Sequence, residues 1–493
     1  SRSTRARWLR TRERPSQESE MAMSATQNRQ LRALRGLLAS ALLALPLLAL
    51  STPAARAASP LTPEAVERAS DQAADQWLEK GIAGFSVAIL QDGKLVLEKS
   101  YGKGYIELDT ATPRDAVYEI ASDAKPFTAA AILRLAGEGR LALDDPLAKH
   151  LPDALPIQVG QRITLRQMLT HTSGVPEFTV VPAFDALASQ NVQPEAVLAL
   201  VRDQPLAFEP GAAQAYSNTG YLLLAMLVKK LTGQAWGDYI EREIFAPLGM
   251  RGSRASLNQE IVPGLVMPYE LNEGKLVRAP YHAYELIHGN AGLRSTARDM
   301  ATWVNALHTG KVLDRALYRE MTTPGRLADG TPLRYGLGLV VADRVAGHRA
   351  YFHGGTFPGY MSYSAYLPEQ RIAIAVLTNT TGPFSEDAIA SDILVRLIGD
   401  ARTPVKPHPL PLAEYVGEYV ANVRSRRTMQ VTLKDGRLFA IVEPWDTGPR
   451  EFVPIAPDRF TSDWIDLRFL RRDGRIVGVV RSSQVSVVAF ERK

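Results

Sequence analysis

The chain contains no cysteine among its 493 residues. Disulfides, thiolate catalysis, zinc–thiolate sites and a lipoprotein-type anchor are all excluded. Its eight histidines form no pair at metal-ligand spacing, and H-E-x-x-H does not occur, so neither a metal nor a cofactor is expected. No internal repeat or low-complexity tract is present. No apolar run reaches the ~20 residues that span a bilayer. A basic binding face is missing too, despite a formal net charge of +5. Residues 1–57 hold ten of the 57 Lys and Arg and three of the 52 Asp and Glu, which leaves 47 basic against 49 acidic groups in the rest. The basic excess therefore belongs to the N-terminal end, and no nucleic-acid partner is implied.

That end has the layout of a secretory leader. Arg29, Arg32 and Arg35 precede LLASALLALPLLAL at 37–50, and the small-residue site Ala55-Arg56-Ala57 follows. Residues 1–20 read as an extension upstream of the leader. The expected location is periplasmic or secreted.

Beyond residue 57 the punctuation is clear. Thr62-Pro63-Glu64 starts a helix that should reach Lys80 and stop at Gly81. Residues 84–102 form two β-rich runs around Asp92-Gly93, a hairpin signal. The stretch from about 105 to 310 is mostly helical, with helices predicted over 221–233 and 294–310. Strands return at 335–342, 349–355, 360–368 and 371–379, followed by a helix over about 385–398. Strands at both ends with helices between them predict an α/β (α+β) domain, 58–400. Its antiparallel sheet is closed by the two ends of the segment and flanked by helices and a helical subdomain. The proline-rich 401–412 is a linker. Residues 413–493 carry short strands with Asp435-Gly436 and Asp473-Gly474 turns, so a small all-β barrel or sandwich is expected.

Three short stretches carry chemistry. Ser122-Asp123-Ala124-Lys125 places a serine and a lysine on one helix face, with Pro126 in the first turn. A serine hydroxyl needs a base, and a lysine serves only if burial or a neighbouring cation lowers its pKa from ~10.4. Tyr216-Ser217-Asn218 would send Tyr216 and Asn218 into one cleft if extended. Tyr216 could then pass protons and Asn218 could bind both a lysine and an amide. His353-Gly354-Gly355-Thr356 ends a strand. Its glycines permit close backbone approach, and the Thr356 N–H could complete an oxyanion hole with that of Ser122. Each stretch alone is weak: an N-cap serine beside a solvated lysine and an N-cap asparagine beside a core tyrosine are the better readings of the first two, and a strand-end turn with a surface histidine is the plain reading of the third.

Their joint order is more specific. With TLRQMLTHTSGVP (164–176), IFAPLGM (244–250) and AGLRSTARDMATW (291–303), it resembles the serine β-lactamase and penicillin-binding superfamily in its class C-like branch. That branch also holds D-aminopeptidases, D-Ala-D-Ala carboxypeptidases and esterases. The resemblance spans roughly 60–400. It implies that Ser122 is acylated, that Lys125 and Tyr216 move protons, and that Asn218, His353, Gly354, Gly355 and Thr356 bind substrate. The tail, from LAEYVGEY (412–419), resembles lipocalin-like domains that follow some lactamase-fold peptidases.

True lactamases carry a lysine where His353 stands. An imidazole is charged only at mildly acid pH, so a carboxylate-bearing substrate should bind better as pH falls. A peptidase or esterase is therefore expected ahead of a lactamase. The alternative from another class, a silent ligand-binding sensor, would have lost one of Ser122, Lys125 and Tyr216. Two decoys are set aside. Gly84-Phe85-Ser86-Val87-Ala88 lacks the last glycine of a G-x-S-x-G elbow, and His171 in LTHTSG is read as structural. Export predicts a mature N-terminus near Ala58, checked by N-terminal sequencing of the extracytoplasmic fraction. Soluble cytosolic protein still bearing residues 24–57 contradicts it.

Overall fold

The computed structural model describes residues 60–402, 407, 409, 411–423, 427–443, 446, 448–462 and 464–493, without the side chains of 343 and 344. The leader and parts of the predicted linker lie outside the described residues. Among the described residues, no helix is long and apolar enough to cross a membrane.

Helix α1 (Pro63–Glu79) begins as its sequence dictates: the Thr62 Oγ1 accepts from the Ala65 N–H at 3.3 Å, and Pro63 occupies the first turn. Strands β1 (Gly84–Gln91) and β2 (Lys94–Tyr105) form the hairpin. Asp92 and Gly93 sit at φ 53° and 74°, the left-handed pair that suits this turn. With β3 (Thr110–Ala111), β4 (Val340–Val345), β5 (His348–Phe357), β6 (Tyr360–Leu367) and β7 (Ile372–Thr378) they make a seven-stranded sheet ordered β3-β2-β1-β7-β6-β5-β4. The two ends of the domain meet in this sheet. β1 pairs antiparallel with β7, Val87 opposite Val376 and Ala88 opposite Ala375.

Both faces of β1 are buried, and strand alternation sends neighbours to opposite cores. Phe85, Val87 and Ile89 pack with Val66 and Trp77 of α1 and with Ile389 and Ile393 of the last helix, α5 (Ala388–Ile398). Ala88 and Leu90 pack toward the helical side, with α2 (Lys125–Gly137), α3 (Asn218–Thr232) and α4 (Ala297–His308). α2 is buried along nearly all of its length, so whatever side chain it aims at the sheet is held in a dry setting.

Three expected boundaries move. The strand predicted from 335 begins at Val340, because Gly338 takes a left-handed φ of 84° beside the Lys125 carbonyl and breaks the extended run. The helix predicted from 294 begins at Ala297, since Leu293–Ser295 form a short strand between Tyr118–Glu119 and Arg254–Ala255. α3 starts at Asn218 rather than 221, because Ser217 caps it through Oγ to the Gly220 N–H at 3.1 Å.

The tail is a closed eight-stranded barrel: β8 (Gly417–Ala421), β9 (Thr428–Lys434), β10 (Arg437–Val442), β11 (Arg450–Ala456), β12 (Arg459–Ser462), β13 (Ile465–Arg472), β14 (Arg475–Ser482) and β15 (Val487–Arg492). Closure of β8 on β15 leaves no unpaired sheet edge. Met429, Val431, Leu438, Val442, Phe460 and Phe469 are among the side chains that fill it. The barrel meets the larger domain through the β14–β15 hairpin. Gln214 and Val487 exchange both backbone hydrogen bonds at 2.9 Å. Val480 and Val487 pack on Leu327 and Leu333, and Arg334 pairs with Asp466. Gln214 lies two residues before Tyr216, so the barrel braces the back of the segment that carries it.

Candidate active site

Ser122 lies in a single 3-10 turn, Ala121–Ala124, just ahead of α2. The sequence placed it at the α-helix start; the turn moves it one step outward. Ala121 adopts φ 49°, a conformation L-residues rarely take. Asp123 points back under the sheet, where its Oδ1 accepts from the Ser364 hydroxyl at 2.8 Å, and the Ser362 hydroxyl donates to the Ile120 carbonyl at 2.7 Å. Burial pushes the Asp123 carboxyl well above the usual range, the serine hydrogen bonds opposing it.

Lys125 is fully buried. Its Nζ lies 3.0 Å from the Ser122 Oγ, 2.9 Å from the Asn218 Oδ1 and 2.9 Å from the Asn290 carbonyl. Two of these partners are carbonyl oxygens, which only accept. They take two N–H bonds and leave the third position facing the serine. Burial lowers the Lys125 pKa to about 7, against an opposing pull from the Glu177 carboxylate. A neutral amine in this position turns its lone pair toward the Ser122 O–H. Because both carbonyls demand donors, the geometry selects the orientation a base requires.

Tyr216 closes the other side. Its phenol hydrogen-bonds Ser122, and its ring lies 4.6 Å from the Lys125 Nζ. Burial keeps its hydroxyl well above the ordinary phenol range, so it is a neutral phenol rather than a tyrosinate. His171 supports this segment from below: its Nδ1 accepts the Ser217 N–H at 3.1 Å and its ring packs 4.4 Å from that of Tyr216. The structural reading of His171 fits this role.

Asn218 faces Lys125 because Glu177 holds it. One Glu177 oxygen accepts the Asn218 Nδ2 at 3.0 Å, and the other accepts the Asn218 N–H at 2.6 Å. A carboxylate at the N-terminus of α3 satisfies orphan donors there and complements the helix dipole. It also fixes which end of the amide meets the lysine.

The third stretch runs along β5. A side-chain carbon at Gly355 would stand 2.5 Å from the Ile120 carbonyl oxygen and 2.7 Å from the Ser122 nitrogen. Only glycine lets the strand approach the serine this closely. Phe357 pairs with Tyr360 and Thr356 with Met361 across the β5–β6 hairpin. The Ser122 N–H belongs to the first turn, whose donors a helix leaves unpaired. Ser122 and Thr356 both line the cleft.

His353 behaves differently from expectation. It is 5% exposed, and its Nε2 lies 3.0 Å from the Tyr335 hydroxyl while its Nδ1 lies 2.6 Å from the Gly354 carbonyl. The carbonyl can only accept, so Nδ1 carries the proton and Nε2 accepts from Tyr335. Burial, with the nearby Lys125 charge, lowers its pKa to about 3. The imidazole stays neutral throughout the working range, and the expected strengthening of carboxylate binding at mildly acid pH has no basis in it.

These residues open on a cleft of about 180 Å³. Phe178, Phe184, Leu286, Ile287 and Phe357 give it an apolar wall, and Thr179, Asn218, His282, Asn290 and Thr356 stand beside Ser122 as its polar points; no Lys or Arg lines it. Among the described residues, no cluster of His, Asp or Glu could hold a metal ion. Sequence motifs had missed Glu177, Asn290 and Tyr335. Each acts from a loop outside the three stretches, and only the lone acid six residues after His171 offered any signal.

A serine facing a buried lysine and a neutral tyrosine has the parts of a serine hydrolase that works by acyl transfer. A profile of the Beta-lactamase family matches residues 64–396. The chain belongs to that family and is a serine hydrolase of its fold. It is 26% identical over 415 residues to the D-aminopeptidase of Brucella canis, covering 83% of this chain and 76% of that protein. Among solved structures it resembles a D-stereospecific amidohydrolase from Streptomyces sp. (26% identity, TM-score 0.58, 67% of this chain and 98% of the other). It also resembles the octameric penicillin-binding protein homologue from Pyrococcus abyssi (25%, TM-score 0.60, 86% and 99%).

With Lys125 as the base, kcat/KM on a neutral ester should fall as pH drops through about 7, where the amine gains its proton. His353→Asn should leave that acid limb in place. A limb that moves by a unit or more in this variant would return the titration to the histidine.

Proposed function

We propose that the chain hydrolyses small amides, peptides or esters through an acyl-enzyme on Ser122, with D-aminoacyl amides and peptides as the favoured class. The observation that carries this reading is the Lys125 Nζ 3.0 Å from the Ser122 Oγ, with its other two positions taken by carbonyls. Lys125 takes the serine proton as Oγ attacks the substrate carbonyl. The N–H groups of Ser122 and Thr356 hold the developing oxyanion. Tyr216, as a neutral phenol between lysine and leaving group, hands a proton to the departing nitrogen or oxygen. Water then repeats the steps on the acyl-enzyme, with the same groups returning the serine.

The substrate class draws on two supports. The apolar wall of Phe178, Phe184, Leu286 and Ile287 fits a hydrophobic side chain. The relatives named D-aminopeptidase and D-stereospecific amidohydrolase share the fold and the family. A cleft without lysine or arginine has little to hold the carboxylate of a penicillin, which favours peptidase or esterase work over lactamase work. Export, on the strength of the leader, would put the enzyme outside the cytoplasm.

Ser122→Ala should abolish both labelling by a fluorophosphonate probe and turnover of D-phenylalanine amide. Lys125→Met and Tyr216→Phe should each lower kcat by about 10²–10⁴-fold, and the double variant by little more than either. Labelling that survives in Ser122→Ala places the nucleophile elsewhere.

A further inference from the structure

We propose that Glu386 sets the charge preference of the cleft, disfavouring substrates that carry a carboxylate alongside Gly354–Thr356 and favouring neutral or cationic groups there. This rests on the hydrolase reading above and adds to it the residue that filters substrates by charge.

Glu386 lies just before α5, on the face of β5 opposite to the one that meets Ser122. Strand alternation divides these faces: Gly355 packs on the serine turn, while Gly354 and Thr356 face the other way. The Glu386 Oε1 accepts from the Thr356 Oγ1 at 2.7 Å. Its Cβ stands 3.1 Å from the point where a side chain at Gly354 would begin. Glu386 thus reaches the cleft through Thr356, the lining residue whose N–H the proposed mechanism uses, rather than by lining the cleft itself.

Among the described residues no Lys, Arg or His forms an ion pair with Glu386, whose Oε1 accepts from Thr356. The adjacent Asp387 accepts from the Ser391 hydroxyl at 3.0 Å and adds a second acid. Lys125, on the other side, is enclosed by Ser122, Asn218 and Asn290. No Lys or Arg lines the cleft, and the titratable side chain on its wall is the His282 imidazole. A substrate carboxylate at this edge would therefore meet an uncompensated like charge, while an ammonium or a primary amide would meet an acceptor. Specificity built from repulsion needs no new contact with the favoured substrate. Two like charges ~6 Å apart, in a setting between protein surface and water, change affinity by roughly tenfold.

The test uses a pair of anilides that share one D-aminoacyl group, one with p-nitroaniline as leaving group and one with p-aminobenzoate, which adds a carboxylate. The readout is the ratio of kcat/KM values, carboxylate over neutral, in wild type, Glu386→Gln and Glu386→Lys. Gln keeps an acceptor for Thr356, so the local fold is preserved. The ratio should rise about tenfold in Glu386→Gln and further in Glu386→Lys, and the rise should shrink in 1 M salt, where screening acts within ~3 Å. A ratio that stays within twofold of wild type in both variants overturns the proposal, as does a rise that ignores salt. Turnover of neither anilide by wild type, with no Ser122-dependent labelling, would overturn the hydrolase reading beneath it. Labelling with an unchanged ratio sinks the charge filter alone.

Discussion

The site depends on one constraint: a lysine side chain kept out of water with carbonyls on two of its three hydrogen-bonding positions. An ammonium in that setting loses its hydration and recovers only part of it from Asn218 and Asn290. The balance shifts toward the neutral amine, and the remaining position faces Ser122. Burial of α2 between the sheet and α3 is what removes the water. A lysine on an exposed face of the same helix would be a solvated cation and no base at all. The same buried helix gives the site its rigidity, since Thr128 donates to the Gly289 carbonyl at 2.7 Å and fixes the loop that presents Asn290.

The surrounding elements serve this arrangement by holding directions. Glu177 turns the Asn218 amide so that its oxygen meets the lysine. Ala121 takes a left-handed backbone to point Ser122 into the cleft; such a residue persists only where its neighbours over-determine it. Here the Asp123–Ser364 and Ser362–Ile120 hydrogen bonds do so from beneath. The aromatic stack of Tyr335, His171 and Tyr216 fills the floor. The barrel reaches this floor from behind through Gln214, so a domain remote in sequence bears on the tyrosine that faces the serine.

What the sequence made readable was the chemistry carried by local spacing. Ser122 and Lys125 are three apart, Tyr216 and Asn218 two apart, and Gly354-Gly355 mark a close approach; periodicity also revealed the hairpin at Asp92-Gly93 and the all-β tail. Contacts between distant loops stayed hidden. Glu177 and Asn218 are 41 residues apart, Lys125 and Asn290 165 apart, and no local pattern marks either pair. His353 shows the same limit in another form. Its identity was plain, but its charge state depends on burial and on Tyr335, which only the fold supplies. Boundaries slipped where a single residue overrode a run, as at Gly338 and Ser217.

The proton state of Lys125 is the quantity on which all of this turns. With lysine labelled with ¹³C at Cε, the Lys125 resonance can be assigned by its loss in Lys125→Met and followed by NMR through a pH titration of the free enzyme. Its midpoint should fall near 7. A midpoint near the ordinary ~10.4 would mean a charged ammonium beside Ser122 at neutral pH, and would contradict its role as the base.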